Sequence, residues 1–208
     1  MTRTCHLLSA AFALTASTAN AALESRLNGS AVYDTQTNLT WLANANLLGA
    51  GSWGVTNSLV DQLNAGAHLG FGDWRLPSTF TPDATCSSPD GTNGFGCTRS
   101  EMGHLFYISL GGTAGTSILS SNNGAISLFQ SVQPAYYWSS TISPIYPGPF
   151  TFVFGSGMQD ASNNYGSSYF AWLVRTGDVT PIPEPSGLAL LLLGIPLVLG
   201  AKKHFSRQ

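Results

Sequence analysis

Chemistry in this sequence would have to come from a small set of side chains. The candidates are Cys86 and Cys97, His68 and His104, and a few carboxylates. Cys86 and Cys97 sit in a loop of Ser, Pro, Gly and Asn. Cys5 falls in the N-terminal segment read below as a secretory signal peptide, and the pair that remains in an exported chain reads as a disulfide; closing so short a loop stabilises by roughly 2–3 kcal/mol in the chain-entropy description. The competing reading, a redox or metal pair, meets a spacing that fits no zinc pattern. His104 follows Glu101 by three positions, a Glu-x-x-His geometry that can hold a metal from one helix face. No second such pair exists, and a lone helical histidine is more often packed or solvated. Asp160, Asn163 and Asn164 offer oxygens of the kind Ca²⁺ takes, but with one acidic group among them. Gly49-Ala50-Gly51-Ser52-Trp53-Gly54 matches G-x-G-x-x-G, with Asp73 about 20 residues on. A dinucleotide site also needs a preceding strand and a parallel βαβ unit, so a glycine-rich loop entering a helix is the better reading. No Gly-x-Ser-x-Gly elbow occurs. Asp73 and Arg75 flank Trp74, which admits two readings: a saccharide platform with an indole face, or a structural arginine paired with a carboxylate beside a core tryptophan. Their place in a turn leading to Leu76-Pro77 favours the second, and the strand positions of Trp138 and Trp172 also say core. No residue qualifies as catalytic, cofactor-binding or metal-binding, and the expectation is a protein without enzymatic activity or cofactor.

The elements that must carry these residues are mixed. In Ala31-Val32-Tyr33-Asp34-Thr35-Gln36-Thr37-Asn38-Leu39-Thr40-Trp41-Leu42-Ala43, two short apolar stretches flank a polar turn, the pattern of a β-hairpin. Ser52 is placed to cap a helix running to about Ala65, with Val55, Leu59, Val60 and Leu63 on one face and Gly66 as its stop. Thr98 and Glu101 form a capping box for a second helix whose buried face is Met102, Leu105, Phe106 and Leu110, with Gly111-Gly112 ending it. A low-complexity Gly/Ser/Asn loop follows to about Ser127. Three aromatic-rich segments, Tyr136–Thr141, Phe150–Phe154 and Tyr169–Arg175, read as closing antiparallel strands. Connections run through Pro144, Pro147 and Pro149, and through residues 155–166. The order contains no repeat and no β/α alternation.

The two ends are of a different kind. Arg3, the apolar run Leu7 to Leu14 and the small residues Ala19-Asn20-Ala21 make a secretory signal peptide, residues 1–21. Pro181 to Gln208 holds Pro183-Glu184-Pro185-Ser186, an uncharged leucine-rich run from Gly187 to Ala201, and then Lys202, Lys203 and Arg207. About 15 residues at 1.5 Å rise give roughly 22 Å against a hydrocarbon core of ~30 Å. Ile182 and snorkelling lysines can cover part of the difference, so residues 187–201 read as a transmembrane helix. Positive charge after it places the C-terminus in the cytoplasm. Between the ends, residues 22–180 are one domain's worth of chain. This part holds no lysine, and Arg26, Arg75, Arg99 and Arg175 are its strong cations. Against ten acidic residues in the chain, the exported part is acidic, and nucleic acid is excluded as a partner.

Pro183, Glu184, Pro185 and Ser186, followed by a leucine span and a basic end, resemble the PEP-CTERM sorting signal. That resemblance implies processing near Pro-Glu-Pro by an exosortase, a membrane transpeptidase of bacteria that make exopolysaccharide. A second resemblance is carried by Val32-Tyr33-Asp34, Leu39-Thr40-Trp41-Leu42, Asp73-Trp74-Arg75-Leu76-Pro77, Glu101-Met102-Gly103-His104-Leu105-Phe106, Tyr137-Trp138-Ser139-Ser140-Thr141 and Ala171-Trp172-Leu173-Val174-Arg175. These strings are similar to the Lcl C-terminal domain family. They imply an α+β, C-type-lectin-like fold of two helices and small twisted antiparallel sheets, akin also to formylglycine-generating enzymes. The resemblance implies a fold and a location rather than a reaction. The expectation is therefore an exported surface or matrix protein, held briefly in the inner membrane and then delivered to the cell surface or beyond. Its role would be a binding or structural component associated with exopolysaccharide or biofilm. The alternative is an extracytoplasmic enzyme on a formylglycine-generating-enzyme-like scaffold, although Cys86 and Cys97 occupy a different loop from that family's catalytic cysteines.

Overall fold

The computed structural model describes residues 23–161 and 164–179. The expected signal peptide, the 181–208 tail with its 187–201 span, and Asn163 lie outside these residues. Among the described residues no helix is long and apolar enough to cross a membrane.

The domain is mixed α/β, with two small antiparallel sheets and few helices. β1 (Leu23–Arg26), β2 (Ala31–Asp34) and β3 (Leu39–Leu42) form a meander, and β7 (Val174–Thr176) pairs with β3, giving the order β1-β2-β3-β7. β4 (Tyr136–Ile142), β5 (Pro149–Val153) and β6 (Met158–Ala161) form the second sheet. Every strand pairing is antiparallel, so the surroundings a dinucleotide loop needs are not those of Gly49–Gly54. The β2–β3 hairpin forms as its pattern requires. Asp34 accepts from the Gln36 N–H at 3.0 Å, and Asn38 takes the left-handed backbone, φ 55°, which asparagine tolerates better than most residues.

α1 (Trp53–Ala65) starts where the sequence places it, with Ser52 Oγ accepting from the Val55 N–H, and stops at Gly66. Its buried side is set by Thr56 and Val60, four residues apart, with Leu59 and Leu63 half-buried. Val55 falls just off that stripe and is 55 % exposed, contrary to the expected face. α2 (Glu101–His104) continues into a single π-helical turn, Leu105–Ser109. Met102, Leu105, Phe106 and Leu110 are all buried, as their spacing predicts.

The expected capping box at α2 does not form. Ser100 is the cap residue, and Thr98 instead bonds Thr85. Glu101 is drawn away from the helix end because Arg75 and the Ser78 N–H claim its carboxylate. Tyr169–Arg175 is also not one strand. Phe170 exchanges backbone bonds with Tyr136 and Trp138 of the second sheet, whereas Leu173 and Val174 bond Leu42 and Arg75 beside the first. The segment thus crosses from one sheet to the other, and Ala171, Trp172 and Leu173 are buried in succession. Two strands, β1 and β6, were not expected. Both are short and polar, with Glu24, Arg26, Gln159 and Asp160 in place of an apolar alternation.

Two clusters form the core. The larger joins Val32 and Trp41 to Met102, Leu105, Phe106, Phe152, Phe154 and Trp172. The smaller seats α1, through Val60, on Leu42, Trp74, Leu76, Trp138 and Leu173. Indole N–H groups fasten the core to nearby backbone, and one of them joins the two clusters. Trp172 donates to Leu42 O, Trp138 to Gly51 O and Trp74 to His68 O, at 2.8, 2.8 and 3.0 Å. Buried indoles with the N–H satisfied pack as core groups, in keeping with the core positions expected of all three.

Candidate functional site

The residues with chemical potential are mostly occupied with each other. Arg75 closes on Glu101 with two hydrogen bonds of 2.7 and 2.8 Å. Glu101 therefore has its carboxylate committed, and the Glu-x-x-His reading of Glu101 and His104 does not hold. His104 Nε2 is buried without a hydrogen-bond partner. Asp73 pairs with Arg175 at 2.8 and 3.0 Å, and that guanidinium holds the Asp73 carboxyl below the usual carboxylate range. The Glu101 carboxylate in turn raises Arg75. Trp74, between them in sequence, is 1 % exposed and offers no platform.

Cys86 and Cys97 stand at disulfide distance, 2.08 Å between sulfurs. Their loop is held from inside. Asp83 accepts from the Thr85 and Arg99 N–H groups, and buried Gln159 donates to Thr92 O while accepting from Ser100 Oγ at 2.6 Å. Asp160 lies on β6 and Asn164 Oδ1 accepts from the Gly166 N–H. Among the described residues no group of three or more His, Cys, Asp or Glu is placed to hold a metal ion. Pro183, Glu184, Pro185 and Ser186 lie outside the described residues.

Two clefts remain. One, of about 280 Å³, is lined by the loop from Gly111 to Asn123. Several of its polar side chains serve the loop itself. Ser117 and Asn123 accept from nearby backbone N–H groups, and Ser121 donates to Leu110 O. The other, of about 200 Å³, opens where four separate segments meet. Gly29 and Ser30 come from the β1–β2 turn, Leu42, Ala43, Asn44 and Leu47 from the exit of β3, His68 and Leu69 from the turn after α1, and Gln130 from the approach to β4. Its floor is fixed by backbone bonds: Ala43 N–H to Ser30 O at 3.0 Å, Gln130 N–H to Ala43 O at 2.7 Å and Ala45 N–H to Gln130 O at 2.9 Å.

Three features distinguish this second cleft. The side-chain groups of Ser30, Gln130 and His68 make no hydrogen bond within the described residues, and Asn44 uses its oxygen on the Asn46 N–H while leaving its amide N–H groups available. No carboxylate, arginine or lysine lines it. It is also where backbone strain collects. Six non-glycine residues among those described have left-handed φ, and five of them, Leu27, Asn28, Ala67, Leu69 and Ser131, lie in or beside the lining segments. Such a conformation costs about 1 kcal/mol or more for a residue with a Cβ. It persists where surrounding structure holds it, and it gathers at ligand sites more than elsewhere.

The sequence marked only His68 in this cleft. Ser30, Asn44 and Gln130 belong to no motif, and of the positive φ values here only those at Asn28, Gly29 and Gly70 fall on residue types that signal a turn, whereas Leu27, Ala67, Leu69 and Ser131 carry no such signal. No family model matches the chain, and no curated protein or solved structure matches it either. The fold and the cleft together define a small mixed α/β domain with an uncharged surface cleft at one end of its four-stranded sheet.

Proposed function

We propose that the chain is an exported, surface-directed binding or structural protein. It would be sorted through its Pro183-Glu184-Pro185-Ser186 tail by an exosortase, and would act in association with extracellular polysaccharide. The observation that carries this reading is where the domain begins and ends. Leu23 pairs with Asp34, Asp34 with Leu39, and Leu39 with Thr176. The chain therefore enters β1 and leaves β7 at the same end of one sheet. Arg26, at the far end of β1 from Leu23, reaches Asp178 beyond β7 at 2.8 and 3.0 Å. The uncharged cleft sits at the other end, where Arg26 pairs with Ala31 and Ala31 with Leu42. Four residues of strand separate the two ends by roughly 10–13 Å. A domain tethered through residue 181 onward would hold its tether at one end and its cleft at the other, which suits a binding protein on a surface.

The tail supplies the sorting step. Pro183 and Pro185 lack N–H donors and favour an extended backbone, so the sequence disfavours continuing a following helix back through this segment. Glu184 carries a charge that stays out of hydrocarbon and sets the register of the apolar span. Replacing Pro183, Glu184 and Pro185 with alanines should leave export intact and trap full-length protein in the inner membrane. Fractionation and blotting of the producing cells reads the outcome. Processing and delivery like the parent's would show that the tail is a plain anchor and that the sorting reading is wrong.

A further inference from the structure

We propose that the cleft between the β1–β2 turn, the exit of β3, the turn after α1 and Gln130 is a saccharide site that takes one neutral pyranose ring. This rests on the surface-directed reading above and deepens it by naming the site and its ligand class.

Size comes first. A cavity of about 150 Å³ accepts a bare six-membered ring, so one of about 200 Å³ leaves room for the ring's hydroxyl substituents. Chemistry narrows the class. Asn44 offers amide N–H groups, Gln130 a carboxamide with both donors and an acceptor, Ser30 a hydroxyl and His68 an imidazole. Each polar group is one that a sugar hydroxyl can match. Leu42, Leu47 and Leu69 supply the apolar surface that a ring's C–H face covers.

Charge decides between sugars. No carboxylate, arginine or lysine lines the cleft. A uronate or a phosphorylated sugar entering it would lose hydration and meet no arginine or lysine, and a metal ion would meet no carboxylate. A neutral ring loses only hydrogen bonds that the lining can replace. Strain supports the same place: the left-handed Leu27, Ala67, Leu69 and Ser131 hold the lining turns in shapes their own side chains disfavour. The larger Gly111–Asn123 cleft lacks this combination, since Ser117, Ser121 and Asn123 already serve its own backbone.

The test uses full-length protein in a detergent without a sugar headgroup. Calorimetric titration is run with glucose, galactose, mannose and N-acetylglucosamine, with their methyl glycosides and trisaccharides, and with glucuronate and glucose 6-phosphate. At least one neutral sugar should bind, and the charged comparators should bind more weakly or not at all. Gln130→Ala should weaken that binding about tenfold. Asn44→Asp, which keeps the acceptor for the Asn46 N–H while replacing the amide donor with a charge, should weaken it at least as much. Ser30→Trp, at an exposed position, should fill the cleft and abolish binding with the melting temperature unchanged. Asn122→Ala, in the other cleft, should leave binding as it was.

A trisaccharide that binds as well as the single sugar assigns the site to polymer. One that fails while the free sugar binds assigns it to monosaccharide. Tighter binding of a charged comparator, or neutral binding that survives Ser30→Trp, overturns the site. So does the absence of sugar binding by folded protein in every arm. If that absence accompanies normal processing of the Pro-Glu-Pro tail, the cleft assignment falls and the sorting reading stands.

Discussion

Arg75 and Glu101 face each other across 26 positions of sequence with two parallel hydrogen bonds, 2.7 and 2.8 Å long. Glu101 also accepts from the Ser78 N–H at 2.7 Å, so one carboxylate fastens the Trp74-Arg75-Leu76-Pro77 segment to the first turn of α2. The pairing differs from the one sequence proximity suggests. Asp73 and Arg75 are neighbours in the chain, yet Asp73 pairs with Arg175. Arg75 bridges antiparallel to Val174, which sets Arg175 beside Asp73 and leaves the Arg75 guanidinium to reach α2. Bidentate, charge-assisted bonds contribute more than neutral ones, but the Arg75 side chain is 36 % exposed, which screens the pair. Glu101→Ala should therefore destabilise by about 2 kcal/mol. Glu101→Gln, which retains an acceptor for Ser78, should cost about half as much. Chemical denaturation of both variants checks the order, and equal losses would show that the Ser78 bond contributes nothing.

Two helical glycines should respond with opposite signs. A Cβ on Gly103 in α2 would stand 1.9 Å from Cys97 O, an overlap that backbone on both sides must move to relieve. Gly103→Ala should destabilise by about 3 kcal/mol or more, beyond the usual range for overpacking. A Cβ on Gly54 in α1 meets nothing within 4 Å. There the ordinary propensity gain applies, and Gly54→Ala should stabilise by roughly 0.5 kcal/mol. Melting temperatures of the two variants must move in opposite directions.

What was legible in the sequence was local. The Ser52 cap, the Thr35–Asn38 turn and the Met102, Leu105, Phe106 spacing each depend on residues within a few positions, and each forms. Where tertiary partners compete, local signals give way. Thr98 and Glu101 have the letters of a capping box, but a distant arginine outbids the helix end for the carboxylate. β1 and β6 are short strands whose ladders are completed by neighbours rather than by apolar alternation, so nothing in their own letters marks them. The cleft is the extreme case. Ser30, Asn44, His68 and Gln130 are brought together from four segments, and the turns that place them take left-handed backbone at Leu27, Ala67, Leu69 and Ser131 as well as at Asn28, Gly29 and Gly70.

The disulfide loop is a second place where the chain is fastened from a distance. Cys86 and Cys97 enclose a stretch that Gln159 of β6 also holds, through Thr92 O at 2.8 Å, while the same Gln159 accepts from Ser100 Oγ, just beyond the loop, at 2.6 Å. Unreduced protein recovered from the envelope should give a Cys86–Cys97 cross-linked peptide by mass spectrometry. Replacing both cysteines with serine should lower stability by about 3 kcal/mol in the loop-entropy description. Two free thiols in the recovered protein would contradict the pairing.

The last prediction concerns alkaline pH. Tyr137 is fully buried, and burial pushes its hydroxyl up to about 12. Its oxygen accepts from the Gln133 N–H at 2.8 Å, a bond that favours the ionised form and so opposes the shift. Burial prevails. With the folded value above the ordinary value near 10, the neutral tyrosine is the form that the fold holds. Its contribution is fully present below about pH 10. It is lost between pH 10 and 12, because there the unfolded chain releases its proton while the folded one retains it. One such group tilts stability downward by about 1.4 kcal/mol per pH unit across that window. Tyr107, also raised by burial, adds to the slope. Tyr137→Phe should lose about 1 kcal/mol at pH 8, where the bond from Gln133 is forfeited, and should then fall less steeply than the parent from pH 10 upward. Denaturation midpoints at pH 8, 10 and 11 read both effects. If parent and variant decline in parallel, Tyr137 does not titrate as its burial requires.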